Sequence, residues 1–120
     1  MGEGLHADDA SLDSLIQWLR SERAEHPTES LSALLAGRRI DTQRLVEIAC
    51  IDLMERRRMG QAIRVESYTE QFPQLQRDEL LLDLIDAEIC VSSELQQPID
   101  PSDYQRRFPK LAKQIIELVS

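Results

Sequence analysis

Asp52 and Glu88 are the residues whose type and setting most invite chemistry. They lie 36 positions apart, the first between Ile51 and Leu53, the second between Ala87 and Ile89. A carboxylate withdrawn from water must find a donor or give up its charge. Such a residue is therefore either an acid–base catalyst with a shifted pKa or half of a structural pair. Donors are at hand in the hydroxyls of Tyr68 and Tyr104 and the guanidinium groups of Arg57, Arg106 and Arg107. A catalytic carboxylate would also need a nucleophile or a second base beside it, and the sequence offers none. The expectation is two structural carboxylates, each tying a long helix to its neighbour. An enzyme reading would require a pocket lined by Asp52, Glu88 and a tyrosine.

The other reactive residue types are sparse. His6 and His26 each stand alone, with no second ligand at zinc-like spacing. Cys50 and Cys90 are forty positions apart with no CxxC, which predicts free, half-buried thiols in a reducing compartment. No GxGxxG, GxxxxGK[ST], GxSxG or HExxH occurs. Asp83, Asp86 and Glu88 lack the alternating oxygen ligands around a glycine that a calcium loop needs. No catalytic residue, cofactor or metal site is expected.

The formal charge of −8 over 120 residues argues against nucleic acid as a partner, because affinity for phosphate backbones comes from Lys and Arg. Arg56-Arg57-Arg58 is the one local basic run. On a helix three consecutive residues span roughly 200°, so they fan out, and a solvated helix face is expected. No run of about 18 apolar residues could span a bilayer. The segment Met1–Asp9 has neither the positive nor the apolar region of a signal peptide, which points to a cytoplasmic protein.

The elements that would position these residues are helical. Leu12, Leu15, Ile16 and Leu19 recur at i, i+3, i+4 and i+7 behind an N-cap at Ser11, and His26-Pro27 ends that helix. Trp18 stands beside the stripe, placed to cover the core edge or to meet a partner. Thr28 is expected to cap a short helix carrying Leu31, Leu34 and Leu35, closed by Gly37. Two long helices, about 42–59 and 78–96, are apolar over wide arcs, so each should be packed on two sides. No stretch alternates as a half-buried strand does.

The stretch Gln61–Leu75 returns as Gln97–Leu111: Tyr68, Phe72, Pro73 and Leu75 match Tyr104, Phe108, Pro109 and Leu111 at a constant offset of 36. Each copy reads as a long helix, an extended apolar turn (Ile63 and Val65 in the first), and a short helix with Tyr and Phe at i and i+4. A Pro then sets a corner. The aromatic pair is expected to clamp the short helix onto the long one. The predicted architecture is an all-α compact bundle of about 6–7 helices containing two tandem repeats of about 36 residues, each a helical hairpin. Residues 1–10 are expected to be flexible and 11–120 to form one domain. Within it, 11–40 is an unrepeated helical hairpin, 41–76 the first repeat, and 77–120 the second repeat with a C-terminal helix.

The run Cys50–Leu75, followed by Leu80-Leu-Leu-Asp-Leu-Ile-Asp-Ala-Glu88 and Tyr104-Gln-Arg-Arg-Phe-Pro-Lys-Leu111, resembles a helical region found N-terminal to the catalytic domain in many planctomycete serine/threonine protein kinases. That region reads D-L-x-x-R-x-x-x-G-x-x-[VI]-x-V-E-x-Y-x-x-[RQ]-F-P-x-L, then L-L-D-L-I-x-A-E, then Y-x-x-R-F-P-x-L. The resemblance covers about residues 45–112. It implies a non-catalytic regulatory or docking segment of a bacterial kinase, binding its own kinase domain or another protein. Trp18, outside the matched region, is the expected contact point, because tryptophan is enriched at interface hot spots. The kinase motifs themselves (Gly-rich loop, V-A-I-K, H-R-D, D-F-G) are absent from the 120 residues. The alternative is a stand-alone signalling adaptor, such as a death-like domain or a sigma-factor regulator.

Overall fold

The computed structural model describes residues 11–119, so the flexible segment expected at 1–10, His6 with it, lies outside the described residues. The protein is all-helical, with no strand among the described residues. Seven α-helices follow in order: α1 Leu12–Glu25, α2 Leu31–Leu34, α3 Thr42–Arg58, α4 Val65–Gln71, α5 Asp78–Glu94, α6 Pro101–Arg107 and α7 Ala112–Val119. Helices α3 and α5 pack along one another most extensively; α1 lies against α3 and α7 against α5. No described helix is long and apolar enough to cross a membrane.

Side-chain caps set the starts. Ser11, Asp41 and Asp100 accept from the backbone N–H groups of Ser14, Arg44 and Ser102, satisfying donors that a helix start leaves open. Pro101 occupies the first turn of α6, where its missing N–H costs nothing. The cap of α2 is Ser30, which accepts from Ala33 N, and not Thr28. The chain between His26 and Glu29 is a turn whose carbonyls are held by a side chain described below.

The two Tyr…Phe-Pro stretches adopt one local structure. In each the short helix ends at the phenylalanine, whose N–H donates to the tyrosine carbonyl at 2.9 Å, and a 3₁₀ turn follows, Pro73–Leu75 or Pro109–Leu111. Tyr68 and Tyr104 are buried, as are Leu75 and Leu111; Phe72 and Phe108 pack half-buried against the core, and Pro73 and Pro109 are exposed at the corner. Val65, read from the sequence as extended, is the first residue of α4 and fully buried.

The long helices end alike. After α3, Gly60 takes φ +90° and Gln61 N–H reaches back to the Arg56 carbonyl; after α5, Gln96 takes φ +58° and Gln97 N–H reaches the Ser92 carbonyl. This is a left-handed helix stop, which glycine adopts freely and glutamine only at a cost.

Candidate functional site

Asp52 lies on the inner side of α3 and is wholly buried. Its carboxylate accepts a two-pronged pair from Arg23 of α1, Nε to Oδ1 and Nη2 to Oδ2, both at 2.9 Å. The Tyr68 hydroxyl donates to Oδ2 at 2.8 Å. Arg23 is itself 2% exposed, and its Nη1 donates to the carbonyls of His26 and Glu29. One guanidinium thus ties the end of α1, the following turn and the middle of α3 together. A planar fork facing a carboxylate is the geometry in which arginine binds most strongly.

Sequence reasoning named Tyr68 as a donor to Asp52 and missed Arg23. The signal was present. Leu15, Leu19 and Arg23 follow at i, i+4 and i+8, so the arginine continues the buried stripe of α1.

Glu88 holds the matching place on α5 and is 1% exposed. Its Oε1 accepts from the backbone N–H of Val65 at 3.0 Å, so a side chain of α5 satisfies the start of α4. Arg107, at the end of α6, spans both oxygens at 3.0 and 3.1 Å and also holds Glu66 through its Nε and Nη2. Its guanidinium lies 4.9 Å from the Tyr104 ring centroid and 5.2 Å from that of Phe108, within cation–π range. Burial would lower the Arg107 pKa, yet the hydrogen bonds and charges of Glu66 and Glu88 outweigh it and the pKa is raised. For Glu66 burial acts upward, while the Arg107 hydrogen bond and charge bring the carboxyl below its usual value.

Of the other expected donors, Arg57 approaches Glu88 only to 3.9 Å. Arg106 pairs instead with Asp103 on its own helix, because side chains three apart share a face. Tyr104 is pushed up in pKa by burial and then by Glu88 beside it; Tyr68 is pushed up by burial and then by Asp52. Both therefore stay protonated, as phenols that donate and do not attack. At both sites the arrangement ties helices together.

The Arg56-Arg57-Arg58 run does fan out, but it is not the solvated face expected. Arg56 is 8% exposed with Nε on Gln61 Oε1 at 2.7 Å, Arg57 turns inward, and Arg58 alone is exposed, forked onto Glu94. Arg57 is turned toward Ser92 and Glu88 of α5, and Arg56 is held by Gln61 of the following loop, so two of the three leave the solvent. Trp18 is half-buried against the core edge, with the Arg38 guanidinium 4.0 Å from its ring centroid. Both cysteines are free: Cys50 is half-buried, its thiol pushed up to about 12 by burial and by Asp83, Asp86 and Glu47, whereas Cys90 is exposed. No group of three or more metal-ligating side chains occurs among the described residues.

No protein-family model matches this chain, and no curated protein sequence or solved structure matches it either.

Proposed function

We propose that this chain is a non-catalytic helical module that binds another protein, and that it serves as the regulatory N-terminal segment of a bacterial serine/threonine protein kinase. The observation that carries the first half is the state of Asp52 and Glu88. Every oxygen of both carboxylates accepts at least one hydrogen bond from within the fold. The residues with the best claim to chemistry are thereby used up in holding helices together. The second half rests on the resemblance of residues 45–112. The net charge of −8 suits a basic partner surface, and Trp18 with Arg38 over its ring is an amphipathic contact of the kind enriched at interface hot spots.

The reading frame beyond Ser120 is the first test: an in-frame Gly-rich loop, V-A-I-K lysine and H-R-D support the kinase assignment, and a stop codon favours the stand-alone adaptor. The second is calorimetric titration of the catalytic domain so encoded with this chain. Saturable binding that Trp18→Ala weakens, with helical circular dichroism intact, supports docking through that face. No heat of binding and no change in autophosphorylation would refute it.

A further inference from the structure

Beside Glu88 a solvent-open cleft of about 470 Å³ lies between the end of α3, the loop before α4, and α6. Arginines from three elements line it: Arg57 of α3, Arg64 of the loop, and Arg106 of α6. The acceptors in its wall are already committed. Glu88 is occupied by Val65 N–H and Arg107, Asp100 caps α6, and Asp103 pairs with Arg106 and Arg107.

The donors are not. Arg57 Nε is alone among buried side-chain N and O atoms of the described residues in lacking a hydrogen bond. Its Nη2 has only long contacts, 3.5 Å to Ser92 Oγ and 3.9 Å to Glu88. The contrast with Arg23 is informative. Both arginines sit in the last turn of a helix and reach the buried carboxylate of the next long helix. Arg23 is saturated by Asp52 and two carbonyls. Arg57 is displaced from the same role, because Arg107 has taken both oxygens of Glu88. A shielded arginine donor with nothing to bind is costly, and an incoming acceptor relieves that cost.

We propose that this cleft binds a phosphate dianion, free or as a monoester, anchored by Arg57 with Ser92 Oγ at the back and held by Arg64 and Arg106 at the mouth. Cationic donors from three elements suit an anion with three equivalent oxygens better than a flat carboxylate. The overall charge of −8 repels anions elsewhere, so binding belongs to this cleft and not to a diffuse basic surface. The inference needs only the cleft and stands apart from the kinase association.

The test is an NMR titration of the full chain, at constant ionic strength, with inorganic phosphate, a phosphoserine peptide, its unphosphorylated form and acetate. Saturable shifts centred on Ser92, Gln97 and Arg64 are expected with the phosphate probes and not with the other two. Arg57→Met should weaken them about tenfold, the loss of one charge-assisted pair. Arg64→Ser and Arg106→Ser, at exposed positions, should each weaken them severalfold and keep the test decisive where Arg57→Met perturbs folding. Tighter binding of the phosphopeptide than of inorganic phosphate assigns the site to a phosphorylated side chain, and equal binding assigns it to the free ion. No saturable shift up to about 10 mM of either probe, or shifts unchanged in Arg64→Ser and Arg106→Ser, would overturn the proposal.

Discussion

Replacing Arg23 by methionine should be among the most destructive single changes in the fold. The variant keeps most of the stem's apolar contacts but removes the fork on Asp52, a carboxylate with no exposed surface, leaving it only the Tyr68 hydroxyl. Removing one partner of a buried, hydrogen-bonded pair costs about 3–5 kcal/mol. The carbonyls of His26 and Glu29 also lose a donor, but both residues are exposed and water replaces it, so the stranded charge dominates. Unfolding entropy near 2.1 cal/mol/K per residue converts the loss into a Tm drop of about 12–20 °C for a chain of this length. A domain typically has about 5–15 kcal/mol in total, so the variant should be marginal at 37 °C. Circular dichroism at 222 nm, by heat and by urea, reads the loss directly. Two comparisons make it specific. Arg20→Met, which breaks the solvent-exposed contact to Glu55, should cost under about 1 kcal/mol. The double variant Arg23→Met with Asp52→Leu should recover part of the loss, since an apolar pair can replace a buried ion pair at little cost, less the cost of the buried Tyr68 hydroxyl that loses its acceptor. A loss below about 1 kcal/mol for Arg23→Met, or a double variant as unstable as the two singles added together, would refute the reasoning.

Two further outcomes follow from the same geometry. Gln96→Gly should raise stability by up to about 1 kcal/mol, or roughly 4 °C, because a non-glycine residue at φ +58° carries strain that its counterpart Gly60 does not; a lower melting temperature would count against it. Alkaline pH should destabilise the fold: Cys50, Tyr68 and Tyr104 all have folded pKa values above their unfolded ones. Below about pH 8.5 they are neutral in both states. Above it the unfolded chain ionises first and binds fewer protons, so unfolding free energy falls as pH rises, by up to about 1.4 kcal/mol per unit for each group past its unfolded pKa. Urea midpoints measured between pH 8 and 11 check this, and a flat profile would contradict it.

The helical class was legible in the sequence because it is a local property. Apolar spacing of three and four, a cap such as Ser11, and stops such as Pro27 and Pro73 act within one or two turns of chain. The two carboxylates were legible as well, since Asp52 and Glu88 interrupt apolar stripes. Their partners were only half legible. Tyr68 lies on the adjoining short helix and Arg107 at the end of the other, and both were named as donors. Arg23 is 29 residues from Asp52 and meets it only because α1 packs against α3. The packing of α5 along α3 likewise withdrew Arg57 from the solvent that its sequence context suggested.

By itself, then, the sequence determined which segments are helices, where they turn, and that two acids must be satisfied internally. Only the tertiary structure decided which arginine answers each acid: Arg23 closes on Asp52, whereas Arg107 reaches Glu88 first and leaves Arg57 over an open cleft. The physical reason is that helix formation rests on contacts within a few residues. The pairing of a buried charge is instead a competition among side chains brought together from distant parts of the chain, and it is won by geometry that no local pattern encodes.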